Sequence, residues 1–372
     1  MMKILTVIGA RPQFIKAATV SRVIRKCSEI REIIVHTGQH FDSNMSQIFF
    51  EQLEIPKPQY NLGIASLTHG AMTGRMIEEI EKLLLKEVPD WVLIYGDTNS
   101  TIAATIASAK LQIPLAHVES GLRSHNLAMP EEINRICSDR LSSRLFCPTE
   151  TAVSNLRDEG FPFNDTNGKK QEIFNVGDVM YDAALFYKLK AVSRFSLDNY
   201  GVSEKKYVLC TLHRAENTSD VKRLEAILSG LRKIAKDIPI ILPIHPRTIQ
   251  TLKGMKKIEW VNGLILLDPL SYLEMQRLEM SAKIIITDSG GVQKEAYFHR
   301  VPCLTIRDET EWGETIALGW NTLVKADDKK IYNAFIEQIE KKCIGKNQEV
   351  GSESKIFGEG NASQKIIDNL QR

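Results

Sequence analysis

The chain has 372 residues, which is long for one domain and typical of two domains of ordinary size. Its net charge of +2 predicts no nucleic-acid partner, and no apolar run approaches the roughly 18 residues of a membrane span. The six cysteines lie far apart with no C-x-x-C pair, which predicts reduced thiols, no disulfide framework and no zinc site.

The chain begins Met1-Met2-Lys3 and enters a strand at once, without a signal-peptide pattern, so we expect a cytoplasmic protein with no membrane partner. Short β-branched runs then alternate with helical stretches, which is typical of parallel α/β architecture. Residues 68–88 carry apolar side chains at helical spacing and predict an amphipathic helix. The predicted strands are KILTVIG, EIIVHTG, WVLIYGD, PLAHVE and RLFCPT in the first half, and YVLCTLH, IPIILPIH, LILLDP, KIIITDSGG and PCLTIRD in the second.

Two series of strands predict two Rossmann-like domains that face each other across a cleft. Residues 180–205 are more polar and irregular, and we place the domain boundary there. The predicted division is an N-terminal domain over 1–180, a C-terminal domain over 181–360, and a last helix over 361–372 that packs back on the first domain.

Polar residues cluster where the predicted strands end. A single polar strand end needs no more explanation than helix capping, but six or more that carry His, Arg, Asp and Glu predict an active cleft. These ends are GARPQFIK, GDTNS and HVE in the first half, and HRAEN, HPR, DSGG and RDETE in the second.

The segment HVESGLRSHNLAMPEEINR, residues 117–135, concentrates three glutamates and two arginines after a buried strand. Carboxylates beside cations at such a place are suited to proton transfer. A surface loop followed by a helix that begins at Pro130 is the plainer alternative.

The turn Asp288-Ser289-Gly290-Gly291 before a helix can offer backbone N–H groups to a phosphate, although a capped strand-to-helix turn explains it as well. Arg11 and Lys16 suit a second clamp on the same anion. The chain has neither the dinucleotide fingerprint after its first strands nor a P-loop lysine, and its histidines form no metal-binding pattern. We therefore expect no cofactor and no catalytic metal.

These motifs resemble, in order and over nearly the whole chain, the non-hydrolysing UDP-N-acetylglucosamine 2-epimerases. The resemblance implies two Rossmann-like domains of the glycosyltransferase-B type, a UDP-sugar substrate and a homodimer formed through the first domain. The hydrolysing relatives have an acidic residue and Tyr-Gly after the first Arg, whereas Pro12 and Gln13 follow Arg11 in this chain. We therefore do not expect it to belong to the hydrolysing branch. The shared motifs are GARPQFIK, TGQH, YGDTNST, HVESGLR, MPEEINR, CPTE, NVGDVMYDA, HRAEN, HPR, LDPLSYLEM, TDSGGVQKEA and RDETEW.

The resemblance assigns catalytic roles to the carboxylates of Asp97, Glu119 and Glu131 and to His213. We expect the three carboxylates to share the proton transfers at C2 of the sugar and His213 to assist the leaving diphosphate. The resemblance also implies a set of residues that bind UDP or substrate. These are Arg11, Lys16, Arg123, Arg135, His245, Arg247, Tyr272, Met275, Ser289, Gly290, Gly291 and Glu295.

Three departures from the common pattern bear on the substrate. Gln13 stands where a Glu is usual, Trp312 replaces an Arg near the substrate, and the residues after TGQH lack the run associated with an allosteric site. The motifs are most similar to the branch that acts on UDP-2,3-diacetamido-2,3-dideoxy-glucuronate for bacterial surface polysaccharide. UDP-N-acetylglucosamine is the alternative substrate. Arg123, His125 and Arg247 are candidates to bind the additional sugar carboxylate.

Two other functions fit parts of the sequence. A retaining glycosyltransferase could use the same fold with a helix-borne Glu such as Glu295, but it has no need of carboxylates that move the C2 proton. A catalytically inactive nucleotide-sugar sensor would normally lack one of the four catalytic residues, and all four are present.

Overall fold

The computed structural model describes residues 1–38, 52–244, 246–343 and 355–372. The chain divides into two compact units, Met1–Leu185 with Ser354–Arg372 (unit 1) and Phe186–Glu353 (unit 2), whereas the sequence-based boundaries were 180 and 360. The prediction of irregular structure from residue 180 is wrong, because a helix, Val179–Arg194, crosses the boundary. Ala183, Ala184, Tyr187 and Ala191 are buried at helical spacing, but the exposed side also carries the apolar residues Leu185, Phe186 and Leu189, so no polar face marked the helix in the sequence.

The described part of unit 1 forms a parallel sheet in the order β3-β2-β1-β4-β5-β6-β7. This is the doubly wound arrangement, in which the strand order reverses between the neighbouring strands β1 and β4. Its strands are β1 (Met2–Ile8), β2 (Ile30–His36), β3 (Tyr60–Asn61), β4 (Trp91–Tyr95), β5 (Leu115–Val118), β6 (Arg144–Cys147) and β7 (Glu172–Asn175). Its helices are α1 (Arg11–Ile24), α2 (His69–Glu87), α3 (Asn99–Lys110), α4 (Pro130–Leu141), α5 (Glu150–Asp158) and α6 (Val179–Arg194).

The described part of unit 2 repeats this topology in the order β10-β9-β8-β11-β12-β13, with the reversal between β8 and β11. Its strands are β8 (Val208–Thr211), β9 (Ile240–Pro243), β10 (Ile265–Leu267), β11 (Ile284–Thr287), β12 (Cys303–Thr305) and β13 (Asn321–Leu323). Its helices are α7 (Ala215–Thr218), α8 (Val221–Ile234), α9 (Pro246–Gly254), α10 (Tyr272–Ser281), α11 (Gly290–Phe298), α12 (Gly313–Ala317) and α13 (Asp328–Cys343).

Both faces of the second sheet are buried, as parallel sheets require. Along β8, Val208 and Cys210 pack in one apolar cluster while Leu209 packs in the other. All ten strands read from the sequence are confirmed. The three that were missed, β3, β7 and β13, are short strands at the edges of the sheets, where half-exposed residues leave no apolar run to recognise.

The predicted helix over 68–88 is confirmed as α2. Met72, Met76, Ile80 and Leu84, each four residues after the last, form its buried face against the first sheet. The helix ends where Val88 adopts φ 45° and its N–H bonds to Leu84 O, so the chain leaves the helix through the left-handed region.

A last helix, α14 (Ala362–Leu370), belongs to unit 1 and packs against α1. The buried carboxylate of Asp182 on α6 accepts hydrogen bonds from the N–H groups of Ala362 (3.1 Å) and Ser363 (2.8 Å). Because a helix N-terminus has unpaired donors, this carboxylate caps α14 from a distant part of the sequence.

None of the described helices is long and apolar enough to span a membrane. Cys27, Cys137, Cys147, Cys210 and Cys303 are free thiols.

A partly buried carboxylate in the first sheet leads to a stability prediction. Glu32 Oε1 accepts hydrogen bonds from Thr6 Oγ1 (2.7 Å) and Ser21 Oγ (3.0 Å), but Oε2 is buried without a partner among the described residues. Burial raises the pKa of Glu32 and outweighs these two hydrogen bonds, which lower it. Between the unfolded and folded pKa values the folded state therefore binds the additional proton, and stability declines as pH rises through that window.

We expect Glu32→Gln to stabilise the protein at pH 7 by about 1 kcal/mol, because the amide keeps the oxygen acceptor and cannot ionise. Urea denaturation at pH 7 and at pH 4 measures this, and the gain should vanish at pH 4, where wild-type Glu32 is protonated. The exposed Glu29→Gln is the matched control and should change little at either pH. An equal gain at both pH values would contradict the ionisation argument.

Candidate active site

In unit 1 the predicted site residues lie close together at the point where the strand order of the sheet reverses, between β1 and β4. The loop after β1 leads into α1 with Arg11 and Lys16, and the turn after the neighbouring β4 carries Asp97. Open α/β sheets bind ligands in the crevice at this point. The parallel order of the strands therefore brings together residues that are more than 80 positions apart in the sequence.

Gln13, noted in the sequence only as a departure from Glu, joins these two loops. Its buried amide oxygen accepts hydrogen bonds from the N–H groups of Gly9 (2.8 Å) and Ala10 (3.0 Å). Its amide nitrogen donates to Tyr95 O (2.9 Å) and Thr101 Oγ1 (3.0 Å). A glutamate could not donate to the Tyr95 carbonyl, so the amide is suited to holding the β1 loop against the β4 loop.

A buried ion pair between Lys16 Nζ and Glu119 Oε2 lies at the centre of this cluster. Glu119 follows β5 with φ 70°, a conformation that costs a non-glycine residue of order 1–3 kcal/mol and is typical of functional sites. The pair lies beside Gly96, where a Cβ would be 3.2 Å from both charged atoms. Any larger residue at 96 would therefore disturb the pair.

Asp97 lies in a second network with α4. Arg135 donates to Asp97 Oδ2 and to Glu132 Oε2, both at 2.7 Å, and Asn134 Nδ2 donates to the carbonyl of Asp97 (2.8 Å). Glu131, the third predicted catalytic carboxylate, is exposed in the first turn of the same helix. The turn after β4 thus brings together Lys16, Asp97, Glu119 and Arg135. Glu131 lies on α4, the helix that binds this turn through Asn134 and Arg135.

The sequence did not single out Glu132, yet its carboxylate organises the loop before α4. It is 1% exposed and accepts from the N–H groups of Ser124 (3.0 Å) and His125 (2.9 Å) as well as from Arg135. Burial opposes its ionisation, but these donors lower the pKa of Glu132 below the ordinary value. The sequence Pro130-Glu131-Glu132 indicated the start of a helix. It did not indicate which of the two glutamates would be buried.

Arg123, predicted to bind substrate, is held inside unit 1. Its side chain is 1% exposed and pairs with Asp139 Oδ2 (2.7 Å) and Glu159 Oε1 (2.6 Å). Its charge is compensated twice by protein carboxylates, which leaves substrate binding by Arg123 a prediction with little geometric support. His125, the other candidate on this loop, is exposed with φ 56°.

In unit 2, His213 lies at the second reversal point, opposite Asp288 at the end of the neighbouring strand. His213 Nδ1 is 2.8 Å from Asp288 Oδ1, and its ring is 59% exposed whereas Asp288 is completely buried. Asp288 also accepts from the N–H groups of His213 (3.2 Å) and Arg214 (3.1 Å) and from Asn217 Nδ2 (3.1 Å). Burial opposes the charge, but these donors lower the pKa of Asp288 below the ordinary value.

The pairing of His213 with Asp288 orients the imidazole and leaves Nε2 as the nitrogen that does not face the carboxylate. The sequence placed both residues at strand ends, but only the strand order makes β8 and β11 neighbours.

The predicted phosphate turn forms the N-terminus of α11. Ser289 is its N-cap, with Oγ accepting from Val292 N (3.4 Å), and Gly290 and Gly291 are its first residues. A Cβ on Gly290 would be 2.5 Å from Glu311 Oε1, so only glycine allows this close approach. Glu311 is itself paired with the buried Arg307 (2.8 Å).

Farther along α11, Glu295 is buried and accepts from Gln276 Nε2 (3.2 Å) on α10. Tyr272 begins α10 and is 3% exposed, and burial together with Glu295 and Glu279 raises its pKa well above the ordinary value. Met275 is partly buried against the apolar cluster of unit 2. The side chains of Glu295 and Tyr272 therefore face protein, and their roles toward uridine or ribose stay predictions.

Trp312, the residue that stands in place of an Arg, is 3% exposed and lies under Lys294 Nζ, 4.1 Å from the ring centroid. A neutral ring below a buried ammonium group is a cation–π contact. An arginine there would place a second positive charge against Lys294. His245 and the side chain of Arg247, both predicted to bind substrate, lie outside the described residues.

Comparisons with known proteins find relatives over the full length of the chain. The family model described as UDP-N-acetylglucosamine 2-epimerase matches residues 22–371. A Pseudomonas aeruginosa protein named UDP-2,3-diacetamido-2,3-dideoxy-D-glucuronate 2-epimerase is 49% identical over 373 residues, covering 100% of both chains. A Methanococcus maripaludis protein named UDP-N-acetylglucosamine 2-epimerase homolog is 51% identical over 376 residues, covering 100% of this chain and 99% of the relative.

Among solved structures, the UDP-GlcNAc 2-epimerase of Methanocaldococcus jannaschii in complex with UDP-GlcNAc and UDP matches with a TM-score of 0.87. It is 41% identical, and the match covers 100% of this chain and 99% of that one. The predicted fold class, α/β with two Rossmann-like units of the glycosyltransferase-B type, is confirmed by the two sheets and by this likeness. With the family model matching residues 22–371, the chain belongs to the UDP-N-acetylglucosamine 2-epimerase family and is an isomerase that acts on carbohydrates.

Proposed function

We propose that the protein inverts C2 of a UDP-N-acetyl sugar by eliminating UDP and adding it back. The observation that carries this proposal is the buried Lys16–Glu119 pair beside the Gly96-Asp97 turn, where two carboxylates and a cation meet at the crevice of unit 1. A transferase that leaves C2 untouched has no need of such a set.

The C2 hydrogen is not adjacent to a carbonyl carbon, so direct deprotonation is unfavourable. When the anomeric C1–O bond breaks, the electron pair leaves with UDP and positive charge develops at C1, which acidifies the C2–H bond. Loss of that proton to a carboxylate gives a 2-acetamidoglucal. A proton then adds to the other face of C2 while the diphosphate oxygen returns to C1, so that atoms and charge balance over the cycle.

In unit 1 Asp97, Glu119 and Glu131 share the two proton transfers. Lys16 has two partners in turn: Glu119 in the free protein and the diphosphate when UDP binds. Substrate that draws Lys16 toward the diphosphate leaves the Glu119 carboxylate available to take a proton.

In unit 2 the N-terminus of α11 stabilises the negative diphosphate through its unpaired N–H groups and its dipole. His213, oriented by Asp288, assists departure of the diphosphate through Nε2.

We propose UDP-2,3-diacetamido-2,3-dideoxy-glucuronate as the substrate and its mannuronate epimer as the product. Full-length identity of 49% to the relative of that name supports it, as do Gln13 and Trp312. UDP-N-acetylglucosamine is the alternative, supported by the 51% identity of the Methanococcus maripaludis relative named UDP-N-acetylglucosamine 2-epimerase homolog. We place the enzyme in the cytoplasm, as a homodimer that serves the synthesis of surface polysaccharide.

Proton NMR in D2O with each of the two UDP-sugars tests the proposal. We expect only the uronate to be converted, with deuterium at C2 and UDP retained in the product. Turnover of UDP-N-acetylglucosamine alone would overturn the substrate and keep the reaction. Sugar transfer to an acceptor without deuterium at C2 would favour a retaining glycosyltransferase, and UDP-sugar binding without any reaction would favour a sensor.

A further inference from the structure

We infer that His117 is a positioning residue that holds the catalytic carboxylates of unit 1 in register, an inference that rests on the function proposed above. His117 lies on β5, two residues before Glu119, and is completely buried. Its Nδ1 is 2.7 Å from Asp139 Oδ1 and its Nε2 is 2.7 Å from the carbonyl oxygen of Gly96. Both ring nitrogens thus face acceptors, and each hydrogen bond requires that nitrogen to carry a proton.

Through its Nε2 hydrogen bond to Gly96, the imidazole holds the turn that carries Asp97. The Gly96 carbonyl accepts from His117, and the Gly96 N–H donates to Val118 O (2.9 Å), so both polar groups of this residue are bound to β5. Gly96 has φ 60°, and its α-carbon borders the Lys16–Glu119 pair. A change in the Gly96 peptide would move Asp97 and the wall of the ion pair together.

Through its Nδ1 hydrogen bond to Asp139, the imidazole is anchored to α4, the helix that carries Glu131, Asn134 and Arg135. Asp139 is completely buried and also accepts from Gly121 N (3.1 Å) and Arg123 Nη1 (2.7 Å). Burial opposes ionisation of Asp139, but His117 and Arg123 lower its pKa below the ordinary value. The carboxylate is therefore a fixed negative anchor for the ring.

The hydrogen-bonded chain from Asp139 through His117 to Gly96 thus connects the three segments that carry the proposed catalytic carboxylates: the β4 turn, β5 and α4. The side chains of His117 and Asp139 are completely buried, so neither is exposed to substrate. The effect of this hydrogen-bonded chain on rate comes through geometry, because a displacement of about 1 Å at a catalytic group can cost about 10²-fold in rate.

Two variants that each keep one nitrogen donor of the imidazole separate this role from simple core packing. In His117→Gln the amide nitrogen occupies the place of Nε2 and can still donate to the Gly96 carbonyl. In His117→Asn the amide nitrogen occupies the place of Nδ1 and can donate only to Asp139. Each variant removes the ring, loses one of the two hydrogen bonds and keeps the other. Each is therefore the control for the other.

We expect His117→Asn to lower kcat for C2 exchange about 10²-fold with KM changed little, and His117→Gln to keep kcat within about tenfold of wild type. Thermal unfolding should rank them in the opposite order, because the Gln variant leaves buried Asp139 with one donor fewer. Equal losses of kcat in the two variants, or better activity of the Asn variant, would overturn the inference.

Amide hydrogen exchange followed by mass spectrometry gives a second readout that needs no substrate. The peptide that covers residues 95–101 should exchange faster in His117→Asn than in wild type, and His117→Gln should resemble wild type. If wild-type protein exchanged C2 of neither UDP-sugar, the proposed function would fail, yet this comparison would still decide whether His117 holds the turn. Unchanged exchange in both variants would refute the positioning role.

Discussion

Glu119→Gln is expected to lower kcat for C2 exchange by about 10²- to 10⁴-fold, the usual contribution of a positioned proton-transfer group. The amide is nearly isosteric and can still contact Lys16, but it cannot accept the C2 proton. Deuterium incorporation at C2, measured by NMR, reports this step directly. The exposed Glu150→Gln, whose side chain is 66% exposed in its pair with Arg157, is the control and should keep wild-type activity.

The same substitution removes the charge that Glu119 presents to the buried Lys16 ammonium, and loss of one partner of a buried pair costs roughly 3–5 kcal/mol. Loss of activity could then reflect unfolding. A double variant with Lys16→Met and Glu119→Gln removes both charges and should recover much of the stability but none of the exchange. Near-normal turnover by folded Glu119→Gln would exclude the carboxylate from the proton transfers.

Asp288→Asn is expected to destabilise unit 2 by about 3 kcal/mol, because a neutral amide replaces a buried carboxylate that accepts hydrogen bonds from His213, Arg214 and Asn217. The N–H groups of the amide would also face these donors, and two donors cannot form a hydrogen bond with each other. Turnover should fall with it, since His213 loses the partner that orients its ring. Urea denaturation and deuterium exchange at C2 measure the two effects.

The pH dependence of this difference follows from the lowered pKa of Asp288. A carboxyl group whose folded pKa lies below its unfolded value of about 3.9 contributes its full stability above that value and loses it as pH falls through the folded pKa. The gap in unfolding free energy between wild type and Asp288→Asn should therefore shrink as pH falls below 4.

The exposed Asp237→Asn is the matched control for Asp288→Asn, and it should alter neither stability nor turnover measurably. A gap between wild type and Asp288→Asn that widened as pH fell below 4 would mean that the buried carboxylate is not ionised in the folded protein.

How far the sequence could be interpreted depended on how local each signal is. Apolar runs such as WVLIYGD and the four-residue spacing of Met72, Met76, Ile80 and Leu84 reflect burial of a single element, so strands and helices were recoverable. The short edge strand β7 has one half-exposed face and neighbours on one side only, and it left no such pattern. The helix over the domain boundary exposes Leu185, Phe186 and Leu189, so it lacks the polar face by which an amphipathic helix is recognised.

The resemblance supplied candidates for the site, but it could not supply their contacts. Arg123 and Arg135 are both basic residues near the same motif, yet Arg123 is enclosed by Asp139 and Glu159 whereas Arg135 reaches Asp97. Gln13 was visible only as an exception to a pattern, and its function of joining two loops depends on four hydrogen bonds to backbone and Thr101. Side-chain direction decides such matters, and direction depends on neighbours distant in sequence.

The sequence by itself determined that this is an α/β protein of two Rossmann-like units in the UDP-N-acetylglucosamine 2-epimerase family, because periodicity and ordered motifs are properties of the linear chain. Only the tertiary structure decided that β1 lies beside β4 and β8 beside β11, and hence that Lys16 meets Glu119 and His213 meets Asp288. Strand order follows from packing whole elements around a common core, so no local pattern of residues contains it.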